Sequence, residues 1–205
     1  GNTFFLDNLK NLQTSMNFPT TKVDMIDFVL IDINGIKTNY TLKDLPYVFS
    51  YDVSTSATNK LLTLKWKDVT LDGLNKLDII ATISLAIDSK DAEFNIQTIA
   101  NTPDYSLYTL TFPVVEFQAL SLTQPEALIT PQYLGSLLLN PRTYISGKLS
   151  SIVNSHTQGS QFVAYYNLET NDLIYFAIKD PLGYFKYQSF TVNPNSVGFS
   201  VTHFP

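Results

Sequence analysis

Acid–base chemistry needs carboxylates or histidines brought to one place, and this chain has few of either. Its glutamates are Glu93, Glu116, Glu126 and Glu169, and its histidines are His156 and His203. Cleaving a glycosidic bond takes two carboxylates about 5–9 Å apart across that bond. Nothing in the spacing pairs two of these four. Glu93 falls on the wet side of an alternating strand, Glu169 in a hairpin loop, and Glu116 and Glu126 at the start of a long excursion. All four read as solvated surface carboxylates. Epimerising a sugar at its anomeric centre would take a glutamate base and histidine acids around a concave sheet. His156 sits in a polar loop, and His203 sits beside aromatic residues in the last strand, where a packed structural role fits it better. No catalytic residue is assigned.

Metal and cofactor chemistry is equally bare. The chain has no cysteine, no His-x-x-x-His and no Asp-x-Asp-x-Asp-Gly loop. Asp68, Asp72, Asp88 and Asp91 would need oxygen ligands from other strands to hold a calcium ion. No Gly-rich phosphate loop occurs, so neither a metal nor a cofactor is expected. Sugar contact is the binding chemistry that remains: aromatic faces stack on a pyranose, and Asn, Asp, Gln or Arg fix its hydroxyls. Arg142, Tyr144, Tyr133, Trp66 and Tyr165 are the candidates. Trp66 alternates with Leu62 and Leu64, which favours a core position for it. Asn39-Tyr40-Thr41 is a glycosylation sequon.

These residues must be positioned by strands. The 205 residues are 44% hydrophobic and only 15% charged, with 14 Phe and 12 Tyr against two Met. That composition supplies a real core and suits sheet faces better than helix packing. A net charge of -5 argues against nucleic acid or an anionic membrane as partner, since either favours a basic face. No apolar run approaches the ~20 residues of a membrane-spanning helix, so no membrane insertion is expected.

Along the chain, Phe5, Leu9 and Leu12 have the spacing of a short helix, or else residues 1–22 are an irregular lead-in. Ile26 to Ile33 and Ile36 to Leu42 read as strands joined at Asn34-Gly35, a strong hairpin signal. Leu62, Leu64 and Trp66 alternate with polar residues, as do Leu77, Ile79, Ala81, Ile83, Leu85 and Ile87. Ala92, Phe94 and Ile96 continue the pattern. Tyr108 to Val114 is a further strand, and Pro113 within it marks an edge, a bulge or a strand end. Prolines 125, 131 and 141 and Gly135 interrupt an excursion over 118–160 that carries short strands of its own. Gln161–Tyr166, Leu173–Lys179, Tyr184–Tyr187 and Val197–Phe204 are consecutive antiparallel strands, with a hairpin loop at Asn167–Asp172 and a tight turn at Asp180-Pro181-Leu182-Gly183. The expectation is one all-β domain over residues 1–205, an antiparallel two-sheet β-supersandwich.

Several segments, in order, carry a resemblance. They are Ala92-Glu93-Phe94-Asn95-Ile96, Ala100-Asn101, Leu110-Thr111-Phe112-Pro113-Val114, Pro131 through Gly135 to Asn140-Pro141, and Gln161-Phe162 with Ala164-Tyr165-Tyr166. Asp180-Pro181-x-Gly183-x-x-Lys186 and His203-Phe204-Pro205 complete the set. Together, over roughly residues 60–205, they resemble the N-terminal galactose-mutarotase-like β-supersandwich of uncharacterised glycoside-hydrolase-like proteins, similar to the leading domain of endo-α-N-acetylgalactosaminidases. In that family a (β/α)8 barrel with the catalytic carboxylates follows the sandwich. His156-Thr157-Gln158-Gly159 departs from the Tyr-Pro-Gly-like turn that the family places before the Gln-Phe strand. The resemblance implies a secreted or cell-surface accessory domain, not itself catalytic, that packs on the barrel and helps to bind carbohydrate. A stand-alone carbohydrate-binding or filament-forming surface module is the second expectation, and a small aldose epimerase the third.

Overall fold

Short β-branched and aromatic runs between Asn, Asp, Pro and Gly turns have produced strands throughout. A computed structural model describes residues 8–10, 17–19, 23–72, 75–89, 91–118, 125–130, 135–153, 162–179 and 184–204, with backbone only at 8–10, 17–19 and 149–153. Every strand pair with a defined register is antiparallel. The described residues contain no α-helix, only 3₁₀ turns at Leu42–Asp44 and Pro141–Thr143. The chain is an all-β protein of the sandwich kind.

The strands are β1 (Asn8–Lys10), β2 (Asn17–Pro19), β3 (Asp27–Asp32), β4 (Lys37–Thr41), β5 (Val48–Thr55), β6 (Asn59–Thr70), β7 (Lys76–Ala86) and β8 (Ala92–Asn101). They continue as β9 (Tyr105–Gln118), β10 (Glu126–Thr130), β11 (Ser136–Leu139), β12 (Gly147–Val153), β13 (Phe162–Asn167), β14 (Leu173–Ala177), β15 (Lys186–Asn193) and β16 (Ser196–His203). The helical spacing of Phe5, Leu9 and Leu12 is not realised at Leu9, which pairs with Phe18 in the β1–β2 ladder. A helix of so few residues is marginal without a packing partner, and Asn8, Asn11 and Asn17 favour turns and strand ends over helix interior.

Contacts gather the chain into two compact units, one built on Ile26–Phe112 and the other on Pro113–Phe204. The first holds the sheet β5-β6-β7-β8 together with β4, β3 and the leading half of β9. Register places Phe49, Trp66, Ile79 and Thr98 in one row and Tyr51, Leu64, Ala81 and Ile96 in the next, all on one face. Trp66, Leu64, Ile79 and Ala81 are fully buried there, with Phe28, Leu30, Leu110 and Phe112 from β3 and β9 also in the core. Phe94 meets Phe112 edge-on at 6.1 Å, so the two layers touch through aromatic rings. The alternation of β7 outruns this core: Leu85 and Ile87 are exposed.

The second unit packs β11-β10-β13-β14 against β12, β15, β16 and the trailing half of β9. Val115, Phe117, Leu128, Val163, Tyr165, Ile174, Phe190, Val192, Val197, Phe199 and Val201 form its core. Phe176 bridges the layers, stacked on Phe199 at 4.0 Å and tilted against Phe117 at 5.9 Å. Gly198 marks a close approach, because a Cβ there would meet Thr191 Cβ at 3.3 Å. Pro113 neither ends β9 nor lies on an edge strand. The ladder to β3 stops at Thr111, and beyond it Val114 N donates to the Met25 carbonyl at 3.1 Å. The excursion over 118–160 does carry strands of its own, β10 to β12. The turn at 180–183 lies outside the described residues.

Candidate functional site

The sheet β11-β10-β13-β14 carries apolar residues on both faces. Leu128, Val163, Tyr165 and Ile174 point into the core of the second unit, so their sequence neighbours point outward. Register then aligns Leu139, Ala127, Tyr166 and Leu173 in one outer row and Leu137, Ile129, Ala164 and Tyr175 in the next. Phe162 opens a third row opposite Ala177. No outward residue in these rows is charged. Leu137 is 60% exposed, Leu139 50%, Leu173 and Tyr175 47% and Phe162 42%. An antiparallel sheet with one solvated face ordinarily alternates apolar-in and polar-out. The runs Leu137-Leu138-Leu139, Phe162–Tyr166 and Leu173–Ala177 do not alternate. They read as strands covered on both sides.

Below one end of this face lies a buried charged cluster. Glu126, on the inward side of β10, is 4% exposed, so it is not the surface carboxylate that its place beside Pro125 suggests. Its Oε1 and Oε2 accept Arg142 Nε at 2.8 and 3.0 Å, and Oε2 also accepts the Tyr165 hydroxyl at 2.5 Å. Arg142 donates a further bond from Nη1 to the Pro194 carbonyl at 2.7 Å, in the β15–β16 turn. The guanidinium thus ties β10 and β13 of one layer to the turn of the other. Asn140, left-handed at φ 48°, shapes the approach. Its side chain accepts Glu126 N at 3.1 Å, and its own N–H donates to the Glu126 carbonyl at 2.8 Å. Tyr144 follows the 3₁₀ turn, 61% exposed, with its hydroxyl bonded to the Leu139 carbonyl at the rim of the apolar face.

The five candidates for sugar contact therefore separate. Arg142 and Tyr165 meet, but around a carboxylate inside the protein. Tyr144 is at the surface. Trp66 is 1% exposed in the other unit, as its alternation predicts, and presents no face to a ligand. Tyr133 lies outside the described residues, as does His156. Asn39 is exposed on β4, opposite Val29. His203 is half-buried, across the ladder from Lys186.

Glu93 and Glu169 are exposed, as expected, while Glu116 is half-buried and accepts Asn193 Nδ2 at 3.1 Å and the Ser196 hydroxyl. Asp72 holds the Asn75 amide with both oxygens, at 2.9 and 2.8 Å, and Asp68 takes Lys76 at 3.0 Å. Among the described residues no three His, Cys, Asp or Glu side chains could share a metal ion, and no helix is long and apolar enough to cross a membrane. The sequence matches no protein family, and no curated protein is similar to it.

Proposed function

We propose that this chain is a non-catalytic accessory module of a glycoside-hydrolase-like protein, and that it receives a neighbouring domain on the outer face of β11-β10-β13-β14. One observation carries this reading: the outward residues of the four strands include no charge, and Leu137, Leu139, Phe162, Leu173 and Tyr175 among them are exposed, while Ala127 and Ala164 between them are buried. Exposed apolar side chains grouped on one sheet face mark a docking surface. The resemblance over residues 60–205 supplies the kind of neighbour, a (β/α)8 barrel.

Carbohydrate binding is the second reading, favoured by exposed Tyr175 and Tyr144. A sugar subsite, however, pairs its aromatic platform with amide, carboxylate or guanidinium partners for hydroxyls. Leu137, Leu139 and Leu173 supply none. Arg142 is already engaged with Glu126 and Pro194.

The test compares backbone hydrogen exchange at 136–139 and 173–177 in this chain and in the natural gene product. Slower exchange in the natural product, abolished by Leu137→Lys with Tyr175→Lys, is the expected result. Equal exchange rules out docking on this face. Binding of simple sugars with tyrosine fluorescence quenching, lost on Tyr175→Ala, would favour the second reading.

A further inference from the structure

The strand β5 lies at the edge of its sheet, with β6 on one side and no strand on the other among the described residues. Seven of its eight residues are exposed. Half of the backbone N–H and C=O groups of an edge strand point away from their only ladder, an open template for another strand. Natural edges are blunted by charged side chains, lysine above all, by proline or by a bulge. Val48-Phe49-Ser50-Tyr51-Asp52-Val53-Ser54-Thr55 carries a single charge, Asp52, has no lysine or proline, and pairs with β6 without a break in register. Tyr51 is 67% exposed and Val53 63%. Yet both share a sheet face with buried Leu64 and half-buried Leu62. The opposite edge strand, β8, differs: Phe94 and Ile96 on that face are already half-buried, so the apolar area left to cover is at β5.

We infer that β5 pairs with β5 of a second copy of this chain, antiparallel and centred on Tyr51, joining two four-stranded sheets into one. The register follows from overlap and charge: only a centre on Tyr51 or Asp52 pairs seven of the eight residues. Asp52 is the only ionised side chain on the strand, and pairing centred on Asp52 would set two carboxylates face to face, which is unfavourable. Centred on Tyr51, each Asp52 stands opposite Ser50 of the second copy, and Phe49 stands opposite Val53. Ser50 in turn pairs with Lys65 on β6. The resulting row runs Lys65, Ser50, then Asp52 of the second copy. Lys65 and that aspartate are two strand spacings apart, about 9–10 Å between backbones, and the small serine between them leaves the lysine room to reach. A two-fold axis normal to the sheet makes both such rows at once, as an isologous contact requires.

The chain lacks cysteine, so a single introduced thiol reports on geometry. Residues directly opposite in an antiparallel pair have Cα atoms about 4.5–5.5 Å apart, inside the ~4.4–6.8 Å span of a disulfide. Tyr51→Cys is expected to oxidise to a covalent dimer. Val53→Cys is not, because its equivalent in the second copy lies four residues along, about 13 Å away.

Because Tyr51→Cys removes contact area, an equimolar mixture of Ser50→Cys and Asp52→Cys chains provides a second readout and should give the mixed dimer. Unmodified protein should sediment with a component of twice the 23.0 kDa chain mass, and Val53→Lys should weaken that association at least tenfold while the chain keeps its melting temperature. A monomer at every concentration up to several hundred micromolar, with no cross-link in the Tyr51→Cys variant or in the mixture, overturns the inference. So does a cross-link in the Val53→Cys variant, or growth of long polymers, which would mean pairing in another register or between β5 and β8.

Discussion

At the scale of single residues, the Glu126–Arg142–Tyr165 cluster decides how this chain should respond to mutation. Arg142 and Glu126 side chains are 9% and 5% exposed, and removing one member of a buried pair strands the other charge away from water. Arg142→Ala is expected to lower unfolding free energy by about 3–5 kcal/mol, read from urea denaturation. Arg142→Lys should recover only part of this. A lysine presents one ammonium, whereas the guanidinium serves Glu126 and the Pro194 carbonyl in two directions. A loss under ~1 kcal/mol for Arg142→Ala would match a surface pair and contradict the burial. Sequence reasoning found Arg142 and Tyr165 because Arg and Tyr can bind, but it assigned them to a ligand. Glu126 was missed, because proximity to Pro125 looks like loop and only the pairing of β10 with β13 puts the carboxyl inside.

At the scale of elements, the β3–β4 hairpin shows why short-range signals were readable. Asn34-Gly35 gives a turn closed from Gly35 N to the Asp32 carbonyl at 3.0 Å, with Gly35 at φ +81°, the positive φ that glycine takes at little steric cost. Asp32 then caps the turn: Oδ1 accepts Ile36 N and Asn34 N, each at 2.8 Å. The Ile36 amide above all, with the Asn34 side chain and the Asn34 and Gly35 amides, outweighs partial desolvation and holds the Asp32 carboxyl below its ordinary 3.8. A depressed folded pKa means that the stabilisation is complete above the unfolded value and lost as pH falls through the folded one. Carboxyl NMR should therefore show Asp32 titrating below 3.8, and Asp32→Asn should remove that part of the acid sensitivity. A midpoint at or above 3.8 would dismiss the cap.

Alternation likewise located β6, β7 and β8, because one face of β6 and β7 is buried and one of β8 half-buried, with the other face wetter. β11, β13 and β14 do not alternate, and β13 and β14 are legible instead as aromatic and β-branched runs between turn residues. There the period of two is masked by a second apolar face, and what covers that face is not written in local sequence.

At the scale of the whole molecule, stability should concentrate where both neighbours of a strand and one covering layer are present. In the first unit that means β6 and β7, whose Leu64, Ile79 and Ala81 are 0% exposed. In the second it means β13, with Val163 at 0%, and β15, with Val192 at 0%. Edge strands have one ladder and little cover, so their amides open without unfolding the rest. Hydrogen exchange at low protein concentration should find the β6 and β7 amides protected roughly 100-fold or more over those of β5. Raising the concentration should then slow exchange in β5 alone, because a strand that pairs with its own copy gains a second ladder only when copies meet. β8 supplies the internal control, an edge of the same sheet whose Phe94 and Ile96 are already half-buried. Equal slowing at β5 and β8 would point to general association, and concentration-independent exchange at β5 would leave its edge open in solution.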